Sequence, residues 1–113
     1  MQSAGSESRV AAMAALLSNP LRLAVLERLR RAPCIVGDLV TELGESQATL
    51  SKQLGLLREA GLLSCRPDGR CREYALANPQ HVGAALDALC ALGASSALRA
   101  AECAAMRAGV ATL

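Results

Sequence analysis

The sequence predicts a mainly α-helical fold carrying one small β-hairpin, and three observations predict it. Apolar residues recur at helical spacing through most of the chain. The 52% hydrophobic content is aliphatic, with Tyr74 the single aromatic residue. One stretch, 62–76 (LLSCRPDGRCREYAL), reads instead as two extended runs broken by Arg66-Pro67-Asp68-Gly69. A core of Leu, Ala and Val with almost no rings is filled most readily by helices packing on helices.

The elements follow in order. Residues 7–17 are alanine-rich and form a first helix. Asn19 caps a second, with Pro20 at its first position and its end near Pro33. Asp38 to Leu43 (DLVTEL) is a short amphipathic helix stopped by Gly44, which tolerates the positive φ of a tight interhelical turn. Ser46 can cap a further helix running to about Ala60, with Leu50, Leu54 and Leu57 sharing one face and Gly61 closing it. The hairpin comes next. A three-residue loop of Pro67, Asp68 and Gly69 pairs Cys65 with Cys71, whereas a two-residue Asp68-Gly69 loop pairs Arg66 with Cys71. Asn78-Pro79 starts the last long helix, whose Val82, Ala85, Leu86, Leu89 and Leu92 form an apolar stripe suited to a dimer face. Gly93-Ala94-Ser95-Ser96 is expected to interrupt that helix, and a short helix with Arg99, Glu102 and Cys103 then leads into an alanine-rich tail.

Two helices across a tight turn, followed by a hairpin, make a dimeric winged helix-turn-helix (α+β, mainly α), and that arrangement mostly binds DNA. The face of the second helix opposite its leucines carries Gln47, Thr49, Ser51, Lys52 and Gln53 behind Ser46, where a recognition helix presents side chains to base edges. Arg66, Arg70 and Arg72 crowd the hairpin tip, a basic projection suited to phosphates or a narrow minor groove. The net charge of +2 is too small to announce nucleic acid by itself. Its distribution carries more weight: five basic residues against two acidic ones lie between Ser46 and Arg72. Arg22, Arg28, Arg30 and Arg31 read as a solvated face, with Glu27 placed to pair with Arg31.

The length of 113 residues suits one domain, about 16–92 as core and 94–113 as a helical tail, with no internal repeat. So large an apolar fraction in so small a helical chain implies surface buried in a homodimer. No signal peptide or membrane span is recognisable, so a cytoplasmic protein that does not engage membranes is expected. No phosphate loop, hydrolase motif or paired nucleophile and base appears, so neither an enzyme nor an organic cofactor is expected. Five cysteines are an odd number, which argues for buried thiols, metal ligands or redox groups over a disulfide framework.

The phrases NPLRLAVLERL, VGDLVTELGESQATLSKQLGLLREAGLL and RPDGRCREYAL resemble the ArsR/SmtB family of dimeric winged-helix repressors, over roughly Leu16 to Leu92. The resemblance implies a homodimer on double-stranded operator DNA, an imperfect inverted repeat, that leaves its promoter when an inducer binds. The family's zinc site on the C-terminal helix needs several histidines and carboxylates. Here His81 is the only histidine, and His81 and Asp87 read as surface residues. The family's Cys-X-Cys site is out of register, because the matching stretch is Cys34-Ile35-Val36-Gly37-Asp38. Cys34 and Cys103 have approximate counterparts in a cadmium/lead-sensing branch, whose recognition-helix cysteines are missing from this chain.

Cys34, Cys90 and Cys103 remain candidate thiolate ligands for a soft ion such as As(III), Sb(III), Cd(II), Pb(II) or Hg(II). On one unbroken helix Cys90 and Cys103 would stand roughly 20 Å apart, so they need a break or a partner subunit. Cys65 and Cys71, paired across the three-residue loop, would make a redox pair on the wing. The expected function is a repressor released by a soft metal or metalloid. Its alternatives are a thiol-redox or persulfide-responsive repressor of the same fold, and a winged-helix protein-interaction module.

Overall fold

Leu50, Leu54 and Leu57 have no solvent exposure and, with the equally buried Leu26 and Leu39, form the centre around which the first part of the chain folds. The structure, a computed structural model, describes residues 2–107, with side chains described at 5 and 7–94. Among the described residues five helices and three strands succeed one another: α1 (Gln2–Leu16), α2 (Pro20–Arg31), β1 (Cys34–Ile35), α3 (Val36–Leu43), α4 (Gln47–Glu59), β2 (Leu63–Asp68), β3 (Cys71–Leu76) and α5 (Pro79–Arg107). The described residues divide into two compact units, one ending at Val82 and one beginning at Gly83, with the division inside α5.

Most boundaries follow from local chemistry. Asn19 Oδ1 accepts from the backbone N–H groups of Leu21 (2.9 Å) and Arg22 (3.1 Å), and Pro20 supplies the first helical residue. Gly44 ends α3 with φ of 66°, and its N–H donates to the Val40 carbonyl. A side chain there would strain the backbone, so glycine fixes the turn that sets α4 against α3. Ser46 Oγ accepts from the Thr49 N–H at 3.1 Å and donates to the Thr49 hydroxyl, capping α4 as expected. Asn78 caps α5, accepting from the His81 N–H at 3.4 Å.

The sheet has the order β1-β3-β2, both pairs antiparallel. β1, which the sequence reading does not anticipate, is only two residues long and exists through its pairing of Cys34 with Tyr74 and Ile35 with Glu73. The hairpin register differs from both expected ones. Asp68 pairs with Cys71, Arg66 with Glu73, Cys65 with Tyr74 and Leu63 with Leu76, leaving Gly69 and Arg70 as the loop. Gly69 takes φ of 63° and Arg70 no positive φ, which fits a II′ turn with glycine first. Packing decides between the registers. The three-residue loop would set Leu63 against Glu73; the observed pairing sets buried Leu63 against buried Leu76 and leaves Arg66 to bond Glu73.

Two expectations fall with this geometry. Cys65 and Cys71 occupy opposite faces of the hairpin, about 10 Å apart along it, because neither pairs with the other and side chains alternate. The proposed redox pair of Cys65 and Cys71 is therefore not formed. The expected break at Gly93 to Ser96 is also absent, since α5 continues unbroken to Arg107. Gly and Ser each weaken a helix interior by only about 1 kcal/mol or less, which the alanine and leucine around them outweigh. No single described helix is long and apolar enough to cross a membrane.

Truncating the centre tests this account of the core. Leu54→Ala, at a position with no exposure, should lower unfolding free energy by about 2–5 kcal/mol in denaturant titration. A loss below about 1 kcal/mol would show that α4 is not anchored by its leucines.

Candidate nucleic-acid interface

Burial of Leu50, Leu54 and Leu57 turns the rest of α4 outward. Gln47, Thr49, Ser51 and Lys52 are exposed, as are Ala48, Gly55 and Arg58, while Gln53 is half-buried. Gln47, Ser51, Gly55 and Arg58 recur at helical spacing along the edge of α4 that faces the wing. Together with Arg70, Cys71, Arg72 and Tyr74 they line an open groove of about 620 Å³. Its charged lining is entirely basic, because Arg58, Arg70 and Arg72 enter it and no carboxylate does. Among the described residues no acidic side chain pairs with Lys52, Arg58, Arg70 or Arg72.

The predicted DNA-facing residues thus separate by what they already do. Gln47, Ser51, Lys52, Arg70 and Arg72 are exposed and stand on or beside the groove. Ser46 and Thr49 use their hydroxyls in the α4 cap. Arg66 donates from Nε to Glu73 at 2.6 Å, which balances its charge on the outer face of the hairpin. Gln53 accepts through Oε1 from Arg22 Nε at 2.7 Å, a link across 31 positions that no local pattern announces. Arg58, one of the five basic residues between Ser46 and Arg72 but not among the expected DNA contacts, joins the groove, and its helical spacing from Gln47 and Ser51 is the signal that finds it.

The other basic group is largely neutralised. Arg28 donates from Nε to Glu42 at 2.9 Å, Arg31 approaches the same carboxylate at 3.8 Å, and Glu27 pairs with Arg30 at 3.5 Å. The realised partner of Glu27 is therefore one residue nearer than the expected Arg31. The Arg28 hydrogen bond holds the Glu42 carboxyl below its ordinary range.

The thiols are scattered. Cys34, on β1, is 4% exposed, with Sγ at 3.4 Å from the Ile35 carbonyl oxygen and 3.8 Å from Glu42 Oε2. Burial pushes this thiol up; the Arg28 guanidinium opposes the shift and the Glu42 and Asp38 carboxylates add to it. It is a protonated, shielded group at neutral pH. Cys65 is half-buried beside Tyr74, while Cys71 and Cys90 are exposed. Cys103 lies on α5, and its side chain falls outside the described residues. On the unbroken α5, Cys90 and Cys103 are about 20 Å apart along the axis, so one chain cannot bring that pair to one ion. Among the described residues no three His, Cys, Asp or Glu side chains gather as a metal-binding group. His81 is exposed, its Nδ1 at 2.9 Å from Asn78 Oδ1, and Asp87 is exposed on α5.

Comparison with known proteins agrees with this architecture. Residues 17–66 match a helix-turn-helix domain model. The chain is 39% identical over 64 residues to the HTH-type transcriptional regulator Rv0081 of Mycobacterium tuberculosis, a match spanning 56% of each protein. It therefore covers little more than half the length of that relative. It is 35% identical over 83 residues to the HTH-type transcriptional regulator CmtR of Mycobacterium bovis, covering 74% of this chain and 70% of that one. The structure resembles the homodimeric winged helix-turn-helix DNA-binding domain Mb0332 of Mycobacterium bovis, a possible ArsR-family transcriptional regulator. The TM-score is 0.71 at 26% identity, covering 80% of this chain and 82% of that one. With its three-stranded winged helix-turn-helix and these relatives, the chain belongs to the ArsR/SmtB family of transcriptional regulators, a family of DNA-binding proteins rather than enzymes.

Proposed function

We propose that this protein is a homodimeric repressor that holds two α4 helices in successive major grooves of an imperfect inverted repeat while the wings grip the flanking backbone. One observation carries the reading: the groove between α4 and the wing holds Gln47, Ser51, Arg58, Arg70 and Arg72 and no carboxylate. Gln47 and Ser51 supply hydrogen-bonding groups for base edges; the arginines supply phosphate contacts whose affinity falls with salt. Two such helices meet DNA productively when they stand about one helical turn apart.

Release is assigned to cysteine chemistry. A soft metal or metalloid held by thiolates of Cys34, Cys90 or Cys103 favours a dimer geometry that no longer matches the operator, so inducer binds the DNA-free form more tightly. The continuity of α5 shapes the ligand set, because Cys90 and Cys103 meet only if the two come from different protomers. A second reading, release by thiol oxidation or persulfidation, meets the same constraint, since a Cys90–Cys103 pair would again need thiols from different protomers. Soft ions and sulfur oxidants are distinguished by anaerobic titration of the reduced protein with arsenite, antimonite, Cd(II) and Hg(II), with release of fluorescent promoter DNA followed throughout. Stoichiometric binding coupled to release supports the ion; release only by oxidant or persulfide donor supports the second reading.

Three outcomes are expected. Gln47→Ala should lower affinity for the operator by about 1–3 kcal/mol while leaving non-specific DNA binding nearly unchanged. Equal loss on both would remove Gln47 from base readout. Arg70→Ala should weaken binding to every duplex and reduce the slope of log affinity against log salt by about one per wing, and an unaltered slope would contradict its phosphate contact. In mass-mapped alkylation of the reduced protein at neutral pH, exposed Cys71 should label before Cys34, whose labelling rises only in alkaline buffer because burial keeps its proton. Labelling of Cys34 first would show that β1 opens readily.

A further inference from the structure

Arg22 joins three elements that the helix-turn-helix alone does not connect. It lies on α2, half-buried, two helical positions after Pro20. Its Nη1 donates to the Leu16 carbonyl at the end of α1 (2.9 Å), and its Nε donates to Gln53 Oε1 on α4 (2.7 Å). The stretch Glu7–Leu16 of α1 meets α2 with a bend of 88°, so this side chain spans the corner between them and reaches the recognition helix from its inner edge. A guanidinium only donates, so it fixes which way the Gln53 amide faces: oxygen inward to Arg22, NH2 away from it.

That orientation has a chemical consequence. A glutamine that reads adenine uses its oxygen and its nitrogen together. With Oε1 held toward Arg22, the Gln53 amide turns its N–H donors outward, and these suit a phosphate oxygen or a guanine or thymine acceptor. We propose that Arg22 is a positioning residue for DNA recognition: it turns Gln53 into a fixed donor and ties the orientation of α4 to the end of α1. The inference rests on α4 being the DNA-reading helix. Arg22 itself touches no DNA in this account.

The test is a double-variant cycle on the full chain, with Arg22→Ala, Gln53→Ala and both together. Affinity for a duplex enriched from a random library and for a shuffled duplex is measured across a salt series, alongside thermal unfolding. Arg22→Ala should reduce specific affinity about tenfold, the scale of one hydrogen bond to a charged group. The same change in the Gln53→Ala background should cost little more, because both variants break one link. The salt slope should stay as in the unaltered chain, since Arg22 neutralises no phosphate. Without DNA, the Gln53 side-chain amide proton resonances should shift in Arg22→Ala. Arg22→Lys keeps the charge but lacks the fork that reaches Leu16 and Gln53 at once; it should restore specificity only in part and carries the cycle if Arg22→Ala does not fold. Additive losses, an unchanged ratio of specific to shuffled affinity, or a smaller salt slope would each overturn the inference. An unaltered chain with no preference between the duplexes would overturn both the DNA reading and this inference. Equal preference in the unaltered chain and its Arg22 variants would overturn the inference alone.

Discussion

The structure up to Val82 depends on burying one side of a thirteen-residue helix. Leu50, Leu54 and Leu57 are fully enclosed, and that single requirement fixes the rotation of α4 about its axis. Gln47, Ser51, Lys52 and Arg58 are then displayed by geometry and not by any attraction of their own, whereas Gln53 is held by Arg22. Gln47, Ser51 and Arg58 arrive at the groove because the leucines occupy the other side. Gly44 and the Ser46 cap set where the helix starts, so the buried stripe and the turn determine the displayed surface together.

The wing completes that surface through a second register, set by Leu63 against Leu76 and by Arg66 against Glu73. This pairing leaves Arg70 in the loop and Arg72 beside α4, with no acidic partner among the described residues, while Arg66 is neutralised. Charge is thus concentrated by pairing elsewhere rather than by an excess of basic residues. On α2 the opposite holds, since Glu27 and Glu42 answer Arg28, Arg30 and Arg31. A net charge of +2 is compatible with a basic groove for that reason.

The helix-turn-helix was legible in the sequence because its determinants are local. The leucine spacing, Gly44, Ser46, Asn19-Pro20 and Asn78-Pro79 each act within a turn or two of the chain. What was not legible depends on distant partners. β1 is a strand only because Tyr74 and Glu73 lie alongside it. The hairpin register was undetermined because Gly69 suits more than one loop, and the choice falls to residues farther from the turn. Gly93 to Ser96 reads as a break, but small residues among alanines and a leucine remain compatible with a continuous helix. The Arg22–Gln53 bond crosses 31 positions between two helices, beyond any periodicity. Among the cysteines, composition indicates thiol chemistry, while the strand register and the continuity of α5 exclude Cys65–Cys71 and Cys90–Cys103 as pairs within one chain.

α4 and the wing, rather than the arginines of α2, are the proposed DNA-binding surface. The most direct measurement maps backbone amide shifts of the isotopically labelled protein on adding a duplex enriched from a random library. The largest changes are expected from Ser46 to Arg58 and at Gly69 to Arg72, with Glu27 to Arg31 little affected. Changes concentrated at Glu27 to Arg31, with α4 unmoved, would contradict it.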